Sequence, residues 1–552
     1  MPLGRGSIMT GKIILKGLSR GIVATLVFFV LIEALLRVAY LIRNSTVNEI
    51  PLPYVMGNDY GAVPPWVDGL RILEPDETLF WKNRPNLARK YIDIFSPINT
   101  EEDRTALLRQ FLPALPDSLK DYPVWEISMN SKGFRDREFP RTKPSSSFRI
   151  ICLGDSWTFG TNVDQEHAYP QRLQTLLREE FPRADFEVFN LGVIGYSSHQ
   201  GLELMRRRAI DLDPDIVVIG FAMNDSSITG YRDKDMPNYK MSGLAKMVAT
   251  LSEISESHKL LRYLALLSRY KPKSVGEQIK TEVDSAQKGW DISERRMFGR
   301  RDYEKGEPWT RVSLNDYEKN ILEMSNLASG RGAGVILLFN ELWRENPYRT
   351  GLEKISRAEK LPLVDSSALI AEARRSIEED LERKLELRPP GELRAPSNGE
   401  IEVVFRVYLG DHPVAKAVYI AGNHWKLGDV VPNKIAMYDD GTHGDQKAGD
   451  HVWSYSATFP QGAEIFYVFT NSGKEGDWEG LDVPYVRAFR IASAGTPTTI
   501  YRPIETFGTI YMQADGWHTN AEGYSLIANA LLKALKTDVN VRAYLRQRNL
   551  VH

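Results

Sequence analysis

Four short runs rich in β-branched residues, at 148–153, 186–189, 216–219 and 335–339, are separated by stretches with helical spacing such as 169–180. Strands alternating with helices have few ways to bury their faces, and the common solution is a parallel sheet covered on both sides. In open sheets of this kind a ligand sits beyond the carboxyl ends of the strands, so the residues following each run are where chemistry is to be sought. At 552 residues the chain exceeds one ordinary core, and two or three domains are expected.

Composition leaves room for a packed enzyme. Hydrophobic residues make up 42% and charged residues 26%, the balance of a globular chain and not of a disordered or fibrous one. The 70 basic and 72 acidic side chains leave a formal net charge of −2. No global field therefore draws the chain to nucleic acid or anionic lipid, and nucleic acid is not expected as a partner. The single cysteine, Cys152, excludes an internal disulfide and a cysteine-based metal site.

From Ile22 to Ile32 every residue but Thr25 is apolar, and apolar character resumes over most of 34–42. A helix of about 21 residues at ~1.5 Å each reaches about 30 Å, the thickness of a bilayer core. Glu33 and Arg37 interrupt the run four apart on one helical face, where they can pair while Arg37 snorkels to the interface. Residues 21–42 are expected to be an uncleaved transmembrane signal-anchor helix; a cleaved signal peptide and a buried or interfacial helix are the alternatives. Arg5, Lys12, Lys16 and Arg20 come before the run. By the positive-inside rule they keep residues 1–20 cytoplasmic and put the rest on the periplasmic or extracellular side.

Residues 43–128 are rich in proline and aromatics without clear period, and are expected to be an irregular lead-in that packs on the following domain. An α/β domain is expected over 129–395, with 230–330 charged and mostly helical and a Glu/Arg-rich helix over 368–394 that stops at Pro389 and Pro390. Over 396–505 the texture changes to alternating strands and Gly/Asp turns, as at 402–408, 418–421, 452–458 and 465–470, which reads as an inserted all-β domain. An amphipathic helix at 524–535 then returns the chain to the α/β domain over 506–552.

The first strand runs into Gly154-Asp155-Ser156, which puts a serine at the rim where a site would form. A serine hydroxyl is a poor nucleophile unless a base takes its proton and a third group orients that base. Asp515-Gly516-Trp517-His518 offers both, since a turn of that length lets the Asp515 carboxylate reach the His518 ring. A strand-to-helix turn with a Ser or Asp cap would use the same Gly-Asp-Ser residues. Acyl transfer also needs donors where negative charge develops. Gly195, in the segment after the second strand, can present its backbone N–H, and Asn224, after the third, its side-chain amide. All these residues fall at the carboxyl ends of strands of one sheet.

Gly-Asp-Ser at 154–156, Gly195, Gly220 with Asn224-Asp225, and Asp515-x-x-His518, in this order, resemble the four sequence blocks of the SGNH (GDSL-like) hydrolase family. Residues 130–139, with Gly133-Phe134-Arg135, resemble the lead-in to the first block, and Asn224 stands four residues after Gly220 where the family spaces them by two. The resemblance implies a flavodoxin-like three-layer α/β/α fold and hydrolysis of carboxylic esters without a cofactor or metal. It makes Ser156 the nucleophile, His518 the base and Asp515 its orienter, and Ser156, Gly195 and Asn224 the oxyanion hole.

Within the inserted region, 421–429 with Trp425, and 476–479 with Trp478, resemble the starch- and glycogen-binding carbohydrate modules, which are immunoglobulin-like β-sandwiches that stack sugar rings on exposed aromatics; Val430 stands where those modules have a second tryptophan. Trp425 and Trp478 are thus candidate glycan contacts; packing residues of a β-sandwich would be spaced no differently. The loop 439–450 is dense in acidic oxygens and could wrap Ca²⁺, but lacks a bidentate Glu, and an Asx/Gly loop explains it as well.

The expected function is that of a membrane-anchored serine esterase acting on O-acyl groups, acetyl among them, of a glycan. A lipase or thioesterase acting on lipid acyl esters, and a catalytically silent glycan-binding envelope protein, are the alternatives.

Overall fold

Residues 148–153 are apolar at nearly every position, as a strand covered on both faces requires. In the computed structural model they lie in β1 (Ser147–Gly154), every residue of which is buried. The structure describes residues 6–47, 52–53, 72–76, 78–92, 124–227, 232–235, 255–269, 310–341, 346–390, 394–395, 399–410, 417–470, 487–493, 499–508, 510–513 and 518–550. The chain divides into two units. One comprises Met1–Ile94, Ile98–Gly133 and Met236–Pro308; the other comprises Phe95–Pro97, Phe134–Asp235 and Trp309–His552.

The second unit is built on β1 with β2 (Asp185–Gly192), β3 (Ile216–Gly220), β4 (Gly334–Phe339) and β5 (Leu363–Asp365). All four pairings are parallel and the spatial order is β5-β4-β3-β1-β2. That is the flavodoxin-like order 2-1-3-4-5 read backwards, with its switch point between β1 and β3. The four expected strands are present, and β5, three residues long, adds a fifth that no periodicity could reveal. Between strands run α1 (Ser156–Phe159), α2 (Tyr169–Glu180), α3 (Ser198–Leu204), α4 (Met223–Ser226), α5 (Leu314–Ser329), α6 (Pro347–Glu359) and α7 (Ser366–Leu385). After the β region come α8 (Ala521–Thr537) and α9 (Val539–Gln547). The helix expected at 169–180 is α2, and α8 places Tyr524, Ile527, Ala528, Leu531 and Leu535 in one core with Ile150, Cys152, Leu173, Leu177 and Val218. Those α8 positions recur at helical spacing, so one face of the helix is buried.

Between α7 and α8 the described residues form two larger sheets and one short parallel pair, Arg394–Ala395 with Ala492–Ser493. One has the order β9-β6-β12, from β6 (Glu400–Tyr408), β9 (Val452–Pro460) and β12 (Thr499–Thr506), with β6 antiparallel to β9 and parallel to β12. The other is antiparallel with the order β8-β7-β10-β11, from β7 (Tyr419–Gly422), β8 (Ile435–Ala436), β10 (Glu464–Thr470) and β11 (Arg487–Arg490). Ile401, Val403, Phe405 and Val407 alternate along β6 and share a core with Ile420, Ile465, Tyr467 and Phe469 of the other sheet. Buried charge ties these strands to α7: Arg406 pairs with Glu382 at 2.9 Å, and Arg374 donates to the Thr506 and Gly508 carbonyls.

In the first unit the helix Gly6–Val47 contains the stretch Arg20–Ile42, with mean hydropathy 2.4 and none of it buried, long and apolar enough to cross a membrane. Glu33 and Arg37 pair at 3.0 Å. The same Glu33 carboxylate accepts the backbone N–H groups of Glu256 at 2.7 Å and Ser257 at 3.0 Å, and so caps the helix Glu256–Arg269. Within the lead-in expected to be irregular, some described segments are paired strands: Leu73–Asp76 pairs with Phe80–Asn83, and Ala88–Ile92 with Leu52–Pro53 and Val124–Ser128. The alternation that gives Val124–Ser128 away, exposed Glu126 and Ser128 against buried Ile127 and Met129, is short and sits beside proline, and so escapes a window long enough to test period. Asp515, Trp517 and Trp478 lie outside the described residues.

Candidate active site

The end of β1 is shaped by close approach. At Gly154 a Cβ would fall 2.7 Å from the Gly220 carbonyl oxygen, and at Gly192 one would fall 2.2 Å from the Phe159 backbone nitrogen. Glycine at both positions lets β2, β3 and the one-turn helix α1 converge on a single point. Asp155 is the N-cap of α1, its Oδ1 accepting the Trp157 N–H at 3.0 Å. The cap that accounts for Gly-Asp-Ser without any chemistry is therefore real, and the same turn carries Ser156 at the rim.

Ser156 and His518, 5% and 7% exposed, come together: Ser156 Oγ lies 2.8 Å from His518 Nε2 although 362 residues separate them. The His518 segment is fastened locally. The Gln513 N–H donates to the His518 carbonyl at 2.8 Å, and the Gln513 side-chain amide donates to the Thr161 and Thr519 carbonyls at 2.8 and 2.7 Å. Two residues on, Asn520 caps α8 by accepting the Gly523 N–H at 3.0 Å.

The other two loops arrive at the same rim. The Val193 N–H donates to the Gly154 carbonyl at 3.1 Å, and Gly195 follows with φ +76°, a conformation natural to glycine. Asn224 lies in α4 and gives one amide hydrogen to Asp155 Oδ2 at 3.3 Å, which leaves the second for another acceptor. The extra spacing after Gly220 is thus taken up by the turn leading into α4. Among the described residues no acceptor engages the backbone N–H of Ser156 or of Gly195.

Sequence reasoning missed most of what holds these loops. Asp155 does two jobs, cap and Asn224 partner, and complete burial pushes its carboxyl up to about 7 against the pull of the Trp157 N–H, His518 and Asn224. Asp225, also fully buried, accepts the Ser198 N–H on both oxygens at 2.9 and 3.1 Å; burial pushes it up to about 7. Arg135 of the lead-in is fully buried and donates to the carbonyls of Phe159, Gly160 and Val163, gripping the chain just past α1. Asp136 accepts the Asn190 N–H at 2.7 Å, and Asn190 in turn accepts the Gly192 N–H at 2.9 Å. The Gly133-Phe134-Arg135 lead-in was the signal available in the sequence; nothing there marked its role as a brace.

A hydroxyl beside an imidazole nitrogen, at the switch point of a parallel sheet, with two open N–H groups and one amide nearby, can carry out acyl transfer. In the β region Trp425 is 66% exposed, with the Lys426 ammonium 5.4 Å from its ring centre. The Asp439, Asp445 and Asp450 carboxylates lie within 4.8 Å of one another. All three already accept backbone N–H groups: Asp439 those of Gly449, Asp450 and His451, Asp445 that of Gly441, and Asp450 that of Val452.

Residues 152–291 match the model of the GDSL-like Lipase/Acylhydrolase family. The match spans about a quarter of the chain and includes Ser156, Gly195 and Asn224. No curated protein matches the chain. Among solved structures, a catalytic mutant of an acetylxylan esterase from Geobacillus stearothermophilus is 15% identical over 42% of this chain and 82% of its own, with a TM-score of 0.23. A GDSL-like lipase from Bacteroides thetaiotaomicron VPI-5482 is 14% identical over 41% of this chain and 72% of its own, with a TM-score of 0.21. Over that quarter of the chain the sequence is thus similar to a family of acylhydrolases.

Proposed function

We propose that the protein is a membrane-anchored serine esterase that removes O-acyl groups, acetyl foremost, from a glycan on the far side of the membrane from its N-terminus. The observation that carries the catalytic part is the 2.8 Å contact between Ser156 Oγ and His518 Nε2 at the rim of the parallel sheet. In this reading Ser156 Oγ attacks the ester carbonyl carbon as His518 Nε2 takes its proton. The oxyanion is received by the N–H groups of Ser156 and Gly195 and by the Asn224 amide. Collapse expels the alcohol with the proton from His518, and water, deprotonated by the same nitrogen, releases the acid. Asp515 holds the His518 ring.

The glycan rests on the likeness of the inserted region to carbohydrate modules and on the exposure of Trp425, with Trp478 as its companion. The anchor rests on the apolar stretch Arg20–Ile42 and the basic residues before it. The test is turnover by the detergent-solubilised full-length protein on nitrophenyl esters of two to twelve carbons and on acetylated oligosaccharides, with Ser156→Ala and Trp425→Ala alongside. Acetate release that needs Ser156, and that Trp425→Ala weakens on oligosaccharide but not on nitrophenyl acetate, is the expected result. Preference for long chains would replace the glycan by a lipid substrate, and absence of turnover with no fluorophosphonate labelling of Ser156 would end the hydrolase reading.

A further inference from the structure

Arg311 belongs to none of the sequence blocks and lies 116 residues from Gly195, yet its guanidinium reaches the loop that carries that glycine. Nη1 donates to the Gly195 carbonyl at 2.6 Å, and Nη2 donates to Gln200 Oε1 at 2.7 Å and Asp233 Oδ2 at 2.9 Å. Nε donates to Asp233 Oδ1 at 3.1 Å, which makes the ion pair bidentate. Both partners are withdrawn from water, Arg311 6% and Asp233 1% exposed, and Asp233 also accepts the Ser197 hydroxyl. The backbone repeats the connection: Asp233 N–H donates to the Arg311 carbonyl at 2.8 Å, Arg311 N–H to Ser227 at 3.0 Å, and Val312 N–H to Asp225 at 3.2 Å. The guanidinium thereby joins the Gly195 loop to Asp233, and the backbone of Arg311 and Val312 joins both to the end of α4, the helix that holds Asn224.

We propose that Arg311, anchored by Asp233, is a positioning residue for the oxyanion hole. The inference rests on the reading of Gly195 and Asn224 as oxyanion donors. A glycine at φ +76° turns easily, so the direction of its N–H depends on what holds its neighbours. Holding the Gly195 carbonyl fixes the following peptide, and the bond to Gln200 fixes the first turn of α3. A guanidinium suits this because its donors form a rigid planar fork that is always charged, whereas an ammonium is a point charge on a flexible stem and cannot serve Gly195, Gln200 and Asp233 together. A buried ion pair is a poor source of stability compared with apolar residues of the same volume. Its placement against the Gly195 carbonyl gives it a use in orientation instead. The pair also brackets the excursion Met236–Pro308, with Asp233 just before it and Arg311 just after, so the chain leaves and re-enters the catalytic unit at this clamp.

The test uses the full-length protein in detergent, with kcat and KM for nitrophenyl acetate normalised to active sites titrated by fluorophosphonate. Arg311→Gln leaves a buried carboxylate unpaired, so Arg311→Gln combined with Asp233→Asn is measured as well, with Arg311→Lys as the conservative change and Asn224→Ala as the reference for a lost donor. The clamp predicts that kcat per titrated site falls about 10- to 100-fold in the double variant, below the ~10²- to 10³-fold cost of losing a donor outright. KM stays within about twofold, and Arg311→Lys recovers part of the loss. A double variant that folds and keeps wild-type kcat per site, while Asn224→Ala is slow, overturns the clamp and leaves the hydrolase reading intact. If Asn224→Ala is also without effect, the oxyanion assignment fails and the clamp with it.

Discussion

Replacing Asp155 by asparagine separates the carboxylate's charge from its geometry. The substituted side chain keeps an oxygen for the Trp157 N–H, so the cap on α1 survives. What disappears is a titrating group in full burial, raised from 3.8 to about 7 chiefly by desolvation. Between those values the folded protein holds a proton that the unfolded chain has released, so wild-type stability falls as pH rises through that window, and above it the ionised carboxylate carries the whole cost. At about 1.4 kcal/mol per pH unit the ceiling is on the order of 4 kcal/mol, from which about 1 kcal/mol is subtracted for the contact with Asn224 that the variant makes less well. Asp155→Asn should therefore be more stable than wild type at pH 8, by several degrees of melting temperature, and no more stable near pH 4. Activity should move the other way. Two facing amides cannot both present NH₂ to each other, so Asn224 turns, and the hydrogen bond proposed for it to the oxyanion weakens. The expected fall in kcat is about 10- to 10³-fold. Melting curves at pH 4, 6 and 8 with kcat at pH 8 read both effects. Parallel melting temperatures across that range would refute the electrostatic argument, and an undiminished kcat would refute the role given to the Asp155–Asn224 contact.

At Gly195, alanine would have to adopt φ +76°, at a cost of roughly 1–2 kcal/mol in the left-handed region. Gly195→Ala should lower the melting temperature by a few degrees and kcat by at least about tenfold, with little change in KM. In the other unit, Glu33→Ala removes the carboxylate that caps Glu256–Arg269, worth about 1 kcal/mol. Hydrogen exchange should quicken at Glu256 and Ser257, while kcat on nitrophenyl acetate stays unchanged.

The parts of this fold legible in the sequence are those where one residue's own environment is uniform. Ile150, Ile151, Cys152 and Leu153 are buried on both faces of β1, and a run of apolar side chains announces that directly. The α2 and α8 helices show a buried face at regular spacing, and Ser156 and His518 carry their chemistry in their side chains. Arg311 and Asp233 carry theirs only in relation to a backbone carbonyl 116 residues from the arginine, and no spacing encodes that distance. Asp155 was readable as a cap and unreadable as the partner of Asn224, since one bond is local and the other crosses from β1 to the turn after β3. The strands of Leu73–Ile92 escaped notice for a plainer reason: each is four or five residues long, with proline or asparagine in it or within two residues of it.

The 362 residues between Ser156 and His518 also set a timetable. A ribosome that has delivered the whole of β1 to β12 has not yet made His518 or α8, which the proposed mechanism needs beside Ser156. Ser156 stays an ordinary alcohol for the length of that delay. A serine that depends on His518 is in this way inert until nearly the end of the chain's synthesis. It also follows that cleavage anywhere between α7 and α8 that released the C-terminal piece would return the serine to that state.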